Sequence, residues 1–344
     1  MKNIGIIGAS GYTGAELLRL LTNHPKMSVQ IATGETMAGK KIADLYPNLA
    51  SAYPSMKFAD LNLEDFSGLD LVFCALPHGL SQKLIPDLMP KIESIVDLGS
   101  DFRLKEKKDY VNWYGMEHEC PEYLDNAVYG LPELFRDQII ESQLIAATGC
   151  NAAASIFALA PMLDSGLIKP DEIIINLITG VSGAGRPPKD NTTYCAVDAN
   201  IVPYGLLTHR HTPEIEQALR ESTGQEAKVL FTPHLAPMSR GIIATCYGNL
   251  NKECTTEEAL EQLDTFYKDE PFIVVDERPP STKSTLGSNT VHLSARVDNR
   301  TNTLISIAAL DNLVKGASGM AIQNANLAMG LEETLGLPIA GLYP

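Results

Sequence analysis

Aromatic residues are sparse in this chain, at 6% with a single tryptophan, and positive charge is scarcer still. Its 27 Lys and Arg stand against 42 Asp and Glu, a formal net charge of −15. That deficit excludes nucleic acid and anionic membrane surfaces as expected partners. An acidic protein that handles an anionic small molecule must instead gather its few cations locally. Apolar runs long enough to span a bilayer, about 18 residues, are missing. The opening MKNIGIIGASG is too short and too broken by glycine to read as a signal peptide. The six cysteines (74, 120, 150, 195, 246 and 254) include no CxxC pair and no regular framework. A reduced, cytoplasmic setting is therefore expected rather than a disulfide scaffold. Neither an internal repeat nor a low-complexity linker is present.

What the chain does have is enough apolar sequence, 44% of 344 residues, to bury a substantial core and to form two domains. In the first half, short apolar runs at 3–8, 28–33, 70–77, 94–100 and 143–148 alternate with helical or loop stretches. The first helix is predicted over 14–24, with Leu17, Leu18 and Leu21 on one side. Buried runs joined by helices predict a parallel sheet wound on both faces. From about residue 170 the pattern alternates, at 172–183, 242–250, 272–277, 291–298 and 303–312, which predicts a mixed, largely antiparallel sheet. The tail at 314–331 reads as a helix returning to the first domain. The expected fold class is α/β. A nucleotide-binding domain covers 1–149 together with the C-terminal helix (about 314–344), and an α+β domain covers 150–313.

Between the first strand and first helix lies Gly8-Ala-Ser-Gly11-Tyr-Thr-Gly14. Glycines there let the chain turn tightly and let backbone amides approach a pyrophosphate at the helix N-terminus. The spacing is GxxGxxG rather than GxGxxG, so its weight comes from its place after a strand and before a helix. Glu35, at the end of the second strand, suits the ribose 2′-hydroxyl of NAD. Thr33, Thr36, Lys40 and Lys41 suit the 2′-phosphate of NADP. NADP is the expected cofactor, with NAD possible.

Cys150 sits where the apolar run QLIAATG gives way to the Ala-rich CNAAASIFALAPML. A strand-to-helix junction of this kind presents unpaired N–H groups and roughly half a positive charge. Both favour a thiolate, and the same N–H groups could hold an oxyanion formed by its attack on a carbonyl. The plainer alternative is that Cys150 is a small core residue. A nucleophile needs an acid/base partner, and His209, Arg210, His211 and Glu214 form the segment HRHTPE. Thr212-Pro213-Glu214 reads as a helix start, which places both histidines in a loop just before it. The histidines, with His234 or Cys246, could also suggest zinc, but no ligand pair has the tight spacing of structural zinc sites, and no metal is expected. Arg103, Arg186 and Arg240 lie in loops marked by glycine or proline, and guanidinium groups bind phosphate and carboxylate in bidentate fashion.

Eight ordered motifs, GASGYTG (8–14), ALPHG (75–79), DLGSDFR (97–103), YGLPEL (129–134), GCNA (149–152), GVSGAGR (180–186), HRHTPEIEQ (209–217) and TPHLAPMSRG (232–241), resemble those of the N-acetyl-γ-glutamyl-phosphate reductase family. That family is related to aspartate-semialdehyde dehydrogenase. The resemblance runs from residue 4 to about 331. It implies an N-terminal doubly wound Rossmann domain that binds NADP and a C-terminal catalytic and oligomerisation domain in a homodimer or homotetramer. It also implies NADPH-dependent reduction of an acyl phosphate to a semialdehyde plus phosphate, in arginine biosynthesis. Cys150 is then the nucleophile that forms a thioester, and His209 the acid/base. The cofactor contacts implied are Gly8, Ser10, Gly11, Tyr12, Thr13, Gly14, Thr33, Pro77 and Asn324. The substrate contacts are Arg103, Asn151, Arg186, Arg210 and Glu214. Thr148 and Ala153 stand where the family usually has Pro and Thr, and a branch acting on carrier-linked glutamyl or aminoadipyl phosphates often carries GCNA. GVSGAGR is closer to the N-acetyl branch. The rival readings are the carrier-linked reductase, aspartate-semialdehyde dehydrogenase, and a nucleotide-sensing Rossmann protein without catalysis.

Overall fold

The computed structural model describes residues 1–343. Its chain divides into two compact units. The first joins Met1–Thr148 to Ala317–Leu337; the second joins Gly149–Gly316 to the residues from Pro338 onward.

The first unit is built on six strands: β1 (Lys2–Ile7), β2 (Met27–Ala32), β3 (Leu71–Cys74), β4 (Ser94–Asp97), β5 (Ala127–Gly130) and β6 (Leu144–Ala147). Their order is β2-β1-β3-β4-β6-β5, and every pairing is parallel. Parallel strands need crossover connections that cover both faces, so the strands are apolar throughout. Accordingly β3, β4 and β6 are buried at every residue. Each fully buried Ile or Leu among them contributes about 1.5–3 kcal/mol over its exposed state. The short β5 runs into the start of the YGLPEL motif and was not among the runs read from sequence. The first helix spans Tyr12–Leu21, two residues earlier than its leucine pattern suggested. Gly8 and Gly14 explain how close the strand–helix turn is. Gly8 has φ +86°, and a Cβ on it would lie 2.3 Å from the Ala75 carbonyl oxygen. A Cβ on Gly14 would lie 2.4 Å from Ala9 Cα, so any other residue pushes the helix off the loop.

The tail contributes the helix Gly319–Ala328, which packs on β4, β5 and β6 of this unit. It is preceded by a five-residue π-helical turn, Val314–Ser318. Its polar face is buried and, apart from Asn324 Oδ1, hydrogen-bonded in the contacts that follow. Asn324 Nδ2 donates to Gly130 O at 3.0 Å, and His24 Nε2 lies 3.0 Å from Asn326 Oδ1.

The second unit carries seven strands: β7 (Ile168–Gly180), β8 (Val202–Pro203), β9 (Val229–Ala236), β10 (Ile242–Leu250), β11 (Ile273–Val275), β12 (Val291–Asp298) and β13 (Thr303–Leu310). The order is β11-β12-β13-β10-β7-β9-β8. β7–β10, β10–β13, β12–β13 and β8–β9 pair antiparallel; β7–β9 and β11–β12 pair parallel. Alternation is strict along β10, buried at every second residue, so one face is core. Three helices cover that face: Cys150–Asp164, His211–Thr223 and Thr256–Phe266. The first is apolar all round and buried from Asn151 to Leu163, as a helix enclosed on several sides must be.

Among the described residues no helix is long and apolar enough to cross a membrane.

Candidate active site

Cys150 is the first residue of the buried helix Cys150–Asp164, with Gly149 in extended conformation at the N-cap. Gly149 offers no side chain to cap the helix, and a buried carboxylate does part of that work. Glu214 Oε1 accepts the Gly149 N–H at 2.7 Å, and the Glu214 side chain is fully enclosed. A carboxylate beside a helix N-terminus is favoured by the helix dipole. Glu214 therefore acts on the turn that presents Cys150. Its other oxygen lies 4.0 Å from His211 Nε2.

Beyond the thiol, Cys150 Sγ donates to Asn151 Oδ1 at 3.6 Å, and Asn151 Nδ2 donates to the Tyr204 hydroxyl at 3.0 Å. Tyr204 in turn stacks edge-on to His209, ring centroids 5.4 Å apart. Burial, then the negative charge Cys150 can carry, pushes the Tyr204 phenol up to about 12, so it stays a neutral donor at working pH. Cys150, Asn151, Tyr204 and His209 thus form one connected row. Tyr204 was missed by sequence reasoning; its signal was a lone polar aromatic in the run VPYG just ahead of HRH.

His209 is enclosed by the rings of Tyr204, His211 and Phe231, at 5.4, 4.8 and 5.1 Å. Burial, followed by the charges of His211 and Arg210, pushes it down to about 3, so the imidazole is neutral. Its Nδ1 accepts the His211 N–H at 3.1 Å, which leaves Nε2 to carry the proton and donate. The expected helix start is corrected here. The helix begins at His211 itself with Arg210 at the N-cap, so only His209 lies outside it and Thr212 caps nothing. The π-helical turn also reaches Cys150, since a Cβ on Gly316 would lie 2.8 Å from Cys150 Cβ. Such turns recur at functional sites.

Of the expected anion-binding arginines, Arg103 belongs to the first unit, and Arg186 and Arg210 to the second. Arg103 is buried; Nε donates to Ala147 O at 2.8 Å and Nη2 to Leu98 O at 3.0 Å. It thereby closes the carboxyl ends of β4 and β6. Arg186 follows the turn Val181–Ala184 and is half-buried, and Arg210 is exposed at its helix N-terminus.

In the first unit, the nucleotide loop is held from beneath. Thr33 is buried, and its hydroxyl accepts the Gly8 N–H at 3.1 Å. Thr33 thus fixes the loop, while Glu35, Thr36, Lys40 and Lys41 are exposed beyond it. Ser10, Gly11, Tyr12 and Thr13 line the turn, part-exposed, with the Ser10 carbonyl held by the Tyr46 hydroxyl at 2.7 Å. A Cβ on Gly11 would meet only the Gly8 carbonyl, at 3.6 Å, so its outer side is open. Pro77 is exposed past the end of β3. Asn324 is fully buried and its Oδ1 has no hydrogen-bond partner.

A parallel sheet with a glycine turn, joined to a unit that presents a cysteine at a helix N-terminus, defines a dinucleotide-dependent enzyme of the aldehyde–acyl class. The family model "Semialdehyde dehydrogenase, NAD binding domain" matches residues 3–142, and "Semialdehyde dehydrogenase, dimerisation domain" matches 150–312. An N-acetyl-gamma-glutamyl-phosphate reductase of a Jannaschia species is 46% identical over 348 residues, covering 100% of this chain and 99% of that protein. Proteins of the same name from Paracoccus denitrificans (98% of each chain) and Desulforamulus reducens (100% of each) are 45% and 43% identical. Among solved structures, aspartate semialdehyde dehydrogenase II of Vibrio cholerae, complexed with ASA, superposes with a TM-score of 0.71 at 18% identity, covering 96% of this chain and 98% of that one. The Candida albicans aspartate semialdehyde dehydrogenase with NADP gives 0.67 at 16%, covering 96% and 99%. This chain belongs to the semialdehyde dehydrogenase family and, within it, to the N-acetyl-gamma-glutamyl-phosphate reductases.

Proposed function

We propose that the chain reduces N-acetyl-L-glutamyl 5-phosphate to N-acetyl-L-glutamate 5-semialdehyde and phosphate through a thioester on Cys150, using NADPH, in arginine biosynthesis. The observation that carries this reading is Cys150 at the head of a buried helix, its turn held by Glu214 and its side chain joined to Asn151, Tyr204 and His209.

The first unit fits a nicotinamide dinucleotide. The open side of Gly11 leaves room for a pyrophosphate against the helix N-terminus. The orphaned Oδ1 of Asn324 is an acceptor suited to the carboxamide N–H of a nicotinamide. When bound, the reduced cofactor supplies the hydride. Lys40, Lys41 and Thr36 favour a 2′-phosphate there, hence NADP over NAD.

Cys150 adds to the acyl carbon as phosphate leaves, and the N–H groups of its helix start receive the charge that develops on the carbonyl oxygen. His209, neutral with its proton on Nε2, and the Tyr204 hydroxyl are the side-chain donors to that oxygen. The same donors stabilise the tetrahedral adduct formed when the thioester is reduced. The oxyanion of that adduct then re-forms the carbonyl as the C–S bond breaks, which releases the aldehyde and returns Cys150 as the thiolate while His209 keeps its Nε2 proton. Arg103, Arg186 and Arg210 are assigned to the anionic ends of the substrate. Division of the reduction into acyl transfer and hydride transfer replaces one difficult step by two.

The enzyme works as a homodimer or homotetramer in this reading. Across the uncovered face of the second sheet, Leu230, Ile174, Tyr247 and Ile305 are cross-strand neighbours, and Leu230 and Ile174 are 49% and 43% exposed. An apolar row of this kind suits burial against a second copy. The free cysteines suit the cytoplasm.

The test is phosphate-dependent reduction of NADP⁺ by the purified chain with N-acetylglutamate semialdehyde, against aspartate semialdehyde, a carrier-linked semialdehyde, and NAD⁺ as cofactor. Turnover is expected with the first pair and is abolished in Cys150→Ser, which still binds NADP⁺. Turnover retained in Cys150→Ser ends the covalent reading, and preference for another semialdehyde ends the substrate assignment.

A further inference from the structure

The steps above leave unused one ion pair in the second unit. Arg240 Nη1 lies 3.7 Å from Asp311 Oδ2, with the Asp311 side chain fully enclosed and that of Arg240 28% exposed. The carboxylate is a fixed anchor, because three main-chain groups hold it. Leu313 N and Val314 N donate to Oδ1 at 2.8 and 3.1 Å, and Gly287 N donates to Oδ2 at 2.7 Å. The same residue reaches toward the nucleophile through its backbone. Asp311 O accepts the Gly316 N–H at 2.9 Å, and Gly316 is the residue whose Cβ would strike Cys150. Arg240 itself is clamped by the glycine-rich turn. A Cβ on Gly180 would lie 2.8 Å from Arg240 N, and Asn312 ties the two segments by accepting Gly241 N at 2.8 Å and donating to Ser182 Oγ at 2.9 Å.

A guanidinium paired with a buried carboxylate and partly open to solvent keeps the planar geometry that meets another carboxylate in bidentate fashion. Its charge is already balanced by Asp311, which disfavours a dianion and suits a monoanionic, planar carboxylate. Within the function proposed above, on which this rests, the phosphate leaves from the end of the substrate that reacts with Cys150. The α-carboxylate lies at the other end. We propose that Arg240 is the specificity-determining residue that receives the substrate's α-carboxylate, and that Asp311 is its positioning residue.

The test compares wild type, Arg240→Met, Arg240→Lys and Asp311→Asn in the NADP⁺-reducing direction with two aldehydes. One is N-acetylglutamate semialdehyde; the other is 4-acetamidobutanal, the same molecule without its carboxylate. Arg240→Met is expected to lose ~10²-fold or more in kcat/KM on the first and to match wild type on the second. Arg240→Lys, which keeps the charge and loses the fork, falls between. Asp311→Asn shows the same selective loss, whereas a merely structural role lowers both aldehydes alike. Equal losses on both aldehydes overturn the proposal, as does a loss confined to the KM for phosphate. If wild type rejects N-acetylglutamate semialdehyde, the functional reading fails. The carboxylate assignment is then read on the semialdehyde it does accept, against the decarboxylated counterpart.

Discussion

The Tyr204 hydroxyl accepts a 3.0 Å hydrogen bond from Asn151, the neighbour of Cys150, while its ring lies edge-on to His209. One side chain therefore links the neighbour of Cys150 to His209. Tyr204→Phe removes the hydroxyl and leaves a buried amide without its acceptor, a cost of about 1–3 kcal/mol. A drop in kcat of about tenfold or more is expected with the fold retained, read by steady-state kinetics beside circular dichroism. An unchanged kcat would remove Tyr204 from the site.

His209→Asn is expected to lower turnover by about two to four orders of magnitude. If loss appears in His211→Asn and not in His209→Asn, the roles of the two histidines are exchanged. His209 also has a stability signature. Its folded pKa, about 3, lies below the ordinary 6.5. The unfolded chain therefore binds more protons between those values, and stability present above pH 6.5 is lost as pH falls toward 3. Denaturant midpoints of His209→Asn should show a shallower fall over that window than wild type.

Gly316→Ala places a methyl group 2.8 Å from Cys150 Cβ. Either the π-helical turn or the nucleophile must move, and overpacking of this sort costs about 1–3 kcal/mol. Lower Tm together with a reduced rate of Cys150 alkylation is the expected outcome. Wild-type values for both would mean the turn yields without strain.

Asp97 has the opposite pH sign. It is fully buried, its Oδ1 accepts from Ser81 Oγ and Gly99 N at 2.7 and 3.0 Å, and its Oδ2 has no partner. Burial, then the nearby charge of Asp101, raises it to about 7. A raised carboxyl pKa stabilises the fold below its ordinary 3.8, and that contribution is lost as pH rises through 7. Asp97→Asn cannot ionise, so its stability relative to wild type should improve steadily between about pH 4 and 8. A constant difference across that range would refute the assignment.

Much of this was legible in the sequence because the informative elements are locally determined. Apolar runs pointed to β1 to β4 and β6, and alternation to β7, β10, β11, β12 and β13. The elements that escaped notice lack those signals. In β9, Pro233 and the nearby Pro237 read as loop punctuation, yet the strand tolerates Pro233 beside the two-residue edge strand β8. β5 has only four residues and its last two open a motif that turns at Gly130 and Pro132. In the site, residue types and spacing singled out Cys150 and His209 as candidates. The contacts that connect them come from Tyr204, which lies in neither motif, and from Gly316, 166 positions after the nucleophile by residue number. Thr33 and Glu214 were read as ligand contacts from their company in the sequence. Only the backbone amides of Gly8 and Gly149 reveal what their oxygens hold.

Glu214 spans two turns of chain that are 65 residues apart in sequence, with Gly149 N–H on one oxygen and His211 beside the other. The approach of the imidazole helix and the exposure of the thiol are consequently set by the same pair of atoms. Change at either turn is mechanically transmitted to its counterpart through that one carboxylate.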